Sequence, residues 1–295
     1  MKRSSILALG LSLVVATGLL AGCGQKQAPA NNETTQQENQ QTTDTTQSDS
    51  KYQDGTYFAE QDFNEKTGWK YMVTIEVKDG KIVAADWNGV HKNAGKDKKA
   101  LSKAGEYVMV EGGTPWHEQA KKMEDYLIEK QDPKAITYVD DDGHVDVVSG
   151  VSIKCKDFFE LAEQALASDP IERGPYKDGA YHAEQKDFNE KTGWKSTVDI
   201  TVVNGKIVAA SWNGIHKDGG DDKNTLSANG QYVMKEDGTP WHEQADAVEA
   251  FLIEKQDPKA VTYSDDEGHT DAVSGVSIHV SEFFELAEEA LSQAK

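Results

Sequence analysis

The chain has 295 residues, with 51 acidic and 31 basic side chains and a formal net charge of −20. That balance argues against nucleic acid as a partner, because neutralising phosphates takes clustered cations, and it would push the folded parts away from an anionic membrane surface. The length suits about two domains of ~100–150 residues each.

In chain order, residues 1–22 read as an export signal. Lys2 and Arg3 form a charged start, and Ile6 to Leu20 form an apolar run too short to span a membrane comfortably. Leu20-Ala21-Gly22-Cys23 supplies the small residues a signal peptidase needs and then a cysteine, and it resembles the lipobox of bacterial lipoproteins. The resemblance implies lipidation at Cys23 and a chain anchored to the outer side of the cell membrane. Stable anchoring needs more than one acyl chain at ~0.8 kcal/mol per buried methylene. Cys155 would then have no partner, so disulfides are expected to contribute nothing. Its counterpart further along is Val280, which points to a small buried apolar role. Residues 23–50 comprise that cysteine and a stretch of Gln, Thr, Asn, Ser and acids with no apolar periodicity, too polar to repay the entropy of folding. As a coil this tether would span roughly 30 Å.

Self-similarity dominates the rest. Residues 52–166 recur at 176–291, offset by 124 up to Gln61 and by 125 after the inserted Lys186. The period is too long for a solenoid, so two homologous domains are expected, 51–167 and 176–295, with a linker at 168–175. In each copy an alternating segment, Tyr71 to Trp87 in the first, breaks at Asp79-Gly80 or Asn204-Gly205, the signature of a tight β-hairpin. Thr114-Pro115 suits an N-cap and first helical residue, after which Trp116, Ala120, Met123 and Leu127 fall on one helical stripe ending before Asp132-Pro133. Ile136 to Val139 reads as a strand, Asp142-Gly143 as a turn, and Phe158, Ala162, Ala165 and Leu166 as a second helix. The expected fold class is α+β: two tandem domains, each a small antiparallel sheet with helices packed on one face.

Chemistry is best placed at Asp146-Val-Val-Ser149-Gly150-Val-Ser152 and its twin Asp271-Ala-Val-Ser274-Gly275-Val-Ser277, between a strand and a helix. Two hydroxyls flank a glycine that lets the backbone approach a bulky group, and the following helix offers free N–H groups to a phosphate. Ser152 suits three roles: helix cap, phosphate contact, or the point where a phosphate ester is attached. Residue type alone favours the cap.

The Asp-x-x-Ser-Gly-x-Ser pattern near the end of a domain of roughly 115 residues, the Tyr-x-Asp-Gly start, and a turn followed by Gly-Lys-Ile-Val-Ala-Ala together resemble the FMN-binding domain family. With the lipobox, the tandem arrangement resembles the flavoprotein lipoproteins of Gram-positive extracellular electron transfer. The resemblance implies that Ser152 and Ser277 each carry FMN through a phosphodiester made by an extracellular FMN transferase. It makes Asp146, Ser149 and Gly150, with Asp271, Ser274 and Gly275, the recognition elements. It further implies electrons received from a membrane quinone-linked donor and passed to extracellular acceptors such as ferric iron. Where many family members have Ala then Thr, this chain has Val151-Ser152 and Val276-Ser277; the hydroxyl nucleophile is kept. The surrounding acids are expected to lower the flavin's potential.

Three tryptophan pairs recur, Trp69/Trp194, Trp87/Trp212 and Trp116/Trp241, as ring-stacking candidates or as core aromatics. His91, His117 and His144 recur as His216, His242 and His269 without helical metal-pair spacing, so no metal site is expected; His117, at a helix start, is the histidine best placed to face a ligand. No nucleophile elbow or Ser-His-Asp order supports a hydrolase. The competing readings are a non-redox ligand-binding lipoprotein and the precursor of a signal-peptide-derived pheromone.

Overall fold

The structure, a computed structural model, describes residues 51–295; the export signal, Cys23 and the polar tether lie outside the described residues. In the first repeat β1 (Gly55–Glu60), β2 (Trp69–Lys78) and β3 (Lys81–His91) form an antiparallel meander in that order. The hairpin closes through Asp79 and Gly80 at φ 52° and 69°, the two left-handed residues that match a turn to the twist of its strands. Asp54 braces it, its carboxylate accepting from the Gly80 and Asp79 N–H groups at 2.8 and 2.9 Å; these bonds hold the Asp54 carboxyl below its ordinary range.

Three helices follow: α1 (Lys98–Lys103), α2 (Trp116–Lys130) and α3 (Lys156–Leu166). Val73, Ile75 and Val77 alternate onto one face of β2 and meet Ala120, Met123 and Leu127 of α2 and Phe158, Ala162 and Ala165 of α3 in one buried cluster. The two periods, two and 3.6, both present their apolar side to the same space. The second repeat copies this with β4 (Gly179–Glu184), β5 (Trp194–Val203), β6 (Lys206–His216), α4 (Lys223–Ala228), α5 (Trp241–Lys255) and α6 (Ser281–Ser292), plus a short 3₁₀ turn at Pro258–Ala260. The α+β class and the two similar sheet–helix units are therefore as expected. Among the described residues no helix is long and apolar enough to cross a membrane.

Two local expectations need correction. Ile136 to Val139 forms no strand: the Val139 N–H donates to the His144 carbonyl at 2.8 Å, closing a loop. Its apolar residues Ile136 and Tyr138 pack over the core from that loop, while the Tyr126 hydroxyl donates to the Ala135 carbonyl. Pro115 stands at the N-cap position instead of inside the first turn, and the Ser102 hydroxyl accepts the His117 N–H at 3.2 Å in place of a local cap. Cys155 behaves as expected: it is fully buried, and burial pushes its thiol up to about 12.

The repeats also meet each other. Met72 and Val90 from the first sheet form a small buried cluster with Val208 and Ala209 of β6. The Asn204 amide donates to the Thr74 hydroxyl at 2.8 Å and the Thr201 hydroxyl to the Gly95 carbonyl at 2.8 Å. In the connecting segment the Ile171 N–H donates to the Thr56 carbonyl at 2.7 Å, extending the edge at β1.

A buried glutamate common to both copies has different partners in each. Glu124 on α2 accepts the Trp87 N–H at 2.8 Å and the Lys99 ammonium at 2.6 Å. Glu249 on α5 accepts the Trp212 N–H at 2.6 Å, but Asn224 stands where the first copy has Lys99. Burial pushes the Glu249 carboxyl well above its ordinary 4.5, with the Trp212 bond opposing. A native carboxyl with a raised pKa keeps its proton while the unfolded chain loses it, so stability is complete below the unfolded value and falls as pH rises toward the native one. Glu249→Gln should remove that slope, at most about 1.4 kcal/mol per pH unit. Calorimetric melting from pH 5 to 8 should show the variant gaining on the parent as pH increases, and parallel curves would mean that Glu249 is ionised in the fold.

Candidate functional site

At the start of β2 the chain places Trp69 and Tyr71 side by side with Tyr107, from the loop after α1, and Trp116, the first residue of α2. These rings wall a cleft of about 870 Å³, within the size range of small-molecule sites. Tyr71 and Trp116 lie nearly parallel, 17° apart with centroids 6.2 Å apart, and Trp69 meets Tyr107 edge-on at 6.0 Å. Between them sits Lys98, positioned because Asp97 caps α1 by accepting the Ala100 N–H at 2.7 Å. The Lys98 ammonium lies 4.5 to 5.2 Å from all four ring centres and donates to the Tyr71 hydroxyl at 2.6 Å. Burial lowers its amine to about 8, with Asp157 opposing, and burial pushes the Tyr71 phenol up. The face-on rings keep a desolvated cation tolerable.

Ser152 lies at the exposed lip of this cleft, with Ile153, Lys154 and Asp157 beside it. It does not cap α3. That helix begins at Lys156 with Cys155 in the cap position and no side-chain cap, and in the second copy Val280 holds the same place before α6. The Ser152 loop is held instead by Gln119, whose buried side-chain oxygen accepts the Ser152 N–H at 2.6 Å and the Ile153 N–H at 3.2 Å, while its amide donates to the Thr114 carbonyl at 2.8 Å. Gln244 repeats this with Ser277 at 2.7 Å and Thr239 at 2.8 Å. One residue thus joins two of the repeated motifs, Gly-Thr-Pro-Trp-His-Glu-Gln and Asp-x-x-Ser-Gly-Val-Ser. Gly150 and Gly275 take φ of 75° and 79°, values that only glycine adopts without strain. Gln119→Leu should orphan the Ser152 and Ile153 N–H groups and cost about 1–3 kcal/mol for each that stays dry, seen as a lower urea midpoint; an unchanged midpoint would mean that water replaces the amide.

The other predicted residues separate. Asp146 and Ser149 are exposed and do not line the cleft; the Ser149 carbonyl accepts from the Lys122 ammonium at 2.9 Å. Asp271, Ser274 and Ser277 are likewise exposed. Trp87, Trp212, Trp116 and Trp241 are all core residues; Trp116 also borders the cleft, and the half-buried Trp69 lines it. His117 does not face it: its ring bonds the Ser102 hydroxyl at 2.9 Å. His144, held by Asp140 at 2.6 Å, does line it. Sequence reasoning missed Lys98, Tyr107 and Gln119; the signal was present, since each recurs, as Lys223, Tyr232 and Gln244.

The second copy keeps Trp194, Lys223, Tyr232 and Trp241. The Lys223 ammonium lies 4.3 Å from the Trp241 ring and 5.0 Å from that of Tyr232, and burial again lowers it to about 8, with Glu282 opposing. Tyr71, however, is replaced by Ser196, whose hydroxyl donates to Glu282 at 2.9 Å. The Trp212 indole N–H then reaches Ser196 at 3.4 Å, whereas the Trp87 indole N–H is buried without a protein partner.

No family model matches the chain, and no curated protein matches it. Two solved structures are similar. A solution NMR structure from Clostridium thermocellum is 59% identical, covering 40% of this chain and 91% of that one with a TM-score of 0.33. A crystal structure of a protein from Clostridium perfringens is 24% identical, covering 40% of this chain and 88% of that one with a TM-score of 0.30.

Proposed function

We propose that this chain is a lipid-anchored extracellular flavoprotein that carries electrons through two FMN groups, one esterified through its phosphate to Ser152 and one to Ser277. The observation that supports this best is the Ser152 hydroxyl: free of any capping duty, it stands at the lip of an aromatic cleft. Bound there, FMN would supply the redox chemistry, accepting electrons from a membrane quinone-linked donor and releasing them to acceptors such as ferric iron.

The side chains fit such a group. Trp69, Tyr71 and Trp116 offer flat apolar walls to a planar ring. Lys98 supplies a buried positive charge that favours added electron density, against the lowering expected from the acidic surface. Gln119 and Gly150 fix the loop that presents the hydroxyl, and exposed Asp146 and Ser149 remain accessible to an FMN transferase. A covalent tether keeps the cofactor from being lost by dilution outside the cell. The copies are not equivalent, since Tyr71 faces one site and the Ser196–Glu282 pair the other, so two different potentials are expected.

Intact-mass measurement of protein made alongside an FMN transferase tests the proposal. The expected result is one FMN less one water on each of Ser152 and Ser277. A colourless protein of unmodified mass would leave the same cleft to the alternative, non-covalent capture of a small ligand.

A further inference from the structure

Beside Ser277 the second copy gathers side chains that the first does not. Glu267 and His269, from the turn before the motif, and His279, two residues beyond Ser277, bring one ligand atom each to within 4.8 Å of the others. The two imidazole centres are 4.1 Å apart, and the His279 Nε2 lies 3.9 Å from a Glu267 carboxylate oxygen. Ten residues separate the histidines in sequence, so no spacing rule marks them. The backbone joins them: the Val280 N–H donates to the Gly268 carbonyl at 2.8 Å, and Gly268, at φ 88°, lies so close to Ser281 that a Cβ there would meet its hydroxyl.

His269 is also oriented. Its Nδ1 lies 2.6 Å from an oxygen of Asp265, and its own N–H donates to the other oxygen at 3.0 Å. This carboxylate–imidazole arrangement fixes the ring and leaves Nε2 free, as the outer partners of metal-bound histidines do. We propose that Glu267, His269 and His279 form a site for a borderline divalent transition-metal ion such as Zn²⁺. Tetrahedral ligands at about 2.0–2.2 Å from the ion stand about 3.3 Å apart, a closure that exposed Glu267 and His279 can make by side-chain rotation. Three protein ligands leave at least one position for water. Two imidazoles and a carboxylate favour such an ion over Mg²⁺ or Ca²⁺, which prefer all-oxygen sets.

The first copy is the internal control. It keeps the same turn, with Asp140 holding His144 at 2.6 Å and the Cys155 N–H donating to the Gly143 carbonyl at 2.8 Å. But Lys154 stands where His279 does, and its ammonium pairs with Asp142, the counterpart of Glu267, at 3.2 Å. The lysine thus brings a positive charge to the position from which His279 would offer a ligand atom. The site does not rest on the flavin reading, although His144 and Lys154, the counterparts of His269 and His279, line the first copy's cleft.

Calorimetric titration of the untagged protein with Zn²⁺ is expected to show one equivalent per chain. His279→Lys, which copies the first repeat, should abolish it, and Asp265→Asn should weaken it by about tenfold or more. Lys154→His should add a second equivalent, a gain that a misfolded variant would not produce. The absence of a bound equivalent in the parent, or a stoichiometry unchanged by both His279→Lys and Lys154→His, overturns the proposal.

Discussion

A chain carrying both Ser152→Ala and Ser277→Ala is expected to leave the cell with no bound flavin, while each single variant retains half. The expectation is sharp because the two hydroxyls carry little structure. Each side chain makes one long contact, 3.3 Å to the carbonyl oxygen of Gln119 or Gln244, whereas the firm hold on the loop is through the backbone N–H groups at 2.6 and 2.7 Å. Removing an exposed hydroxyl should change stability by no more than about 0.5 kcal/mol. Loss of in-gel flavin fluorescence together with an unaltered thermal transition would therefore report lost attachment and not lost folding. Ser152→Thr and Ser277→Thr keep the nucleophile and should keep the label. Flavin retained after both alanine substitutions would place the attachment elsewhere and remove the proposed role of the motif.

What the sequence disclosed depended on whether the information was periodic. The hairpin at Asp79-Gly80, the stripe Trp116, Ala120, Met123 and Leu127, and the doubling of the unit all follow from local rules repeated along the chain, and all appear in the fold. Ile136 to Val139 reads as a strand because its side chains are apolar and β-favouring. Those side chains are satisfied by covering the core from a loop, and pattern alone does not separate the two outcomes. The cleft was harder to see. Lys98 looks like an ordinary surface lysine at a helix start until Trp69, Tyr71, Tyr107 and Trp116, drawn from three separate segments, close around it. Gln119 lies inside a repeated motif, yet its partner is 33 residues away at Ser152. The cap role for Ser152 failed by three residues, because α3 starts at Lys156 without any side-chain cap.

Replacing Lys99 with methionine should destabilise the first sheet–helix unit by about 3–5 kcal/mol, the usual cost of stranding one member of a buried ion pair. Lys99 is 14% exposed and Glu124 2%, and the Lys99 ammonium also contacts Asp86. Burial opposes the charge on Lys99, but Asp86 and Glu124 outweigh it and hold its amine above the ordinary range. For Glu124 burial is the larger influence and Lys99 only resists it, so that carboxyl stays above its ordinary value. Without the lysine, Glu124 would take up a proton on folding, as Glu249 is argued to do. By linkage the penalty should then shrink as pH falls toward the unfolded value and grow as it rises. Adding Glu124→Gln should recover most of the loss, because the neutral amide can still accept the Trp87 N–H without leaving a buried charge. Urea unfolding should show the damage confined to the first unit, splitting one transition into two, since the second core around Ile200, Val248 and Phe283 is separate. A loss below about 1 kcal/mol, independent of pH, would mean that water reaches Glu124 and that its burial imposes no demand for a cation.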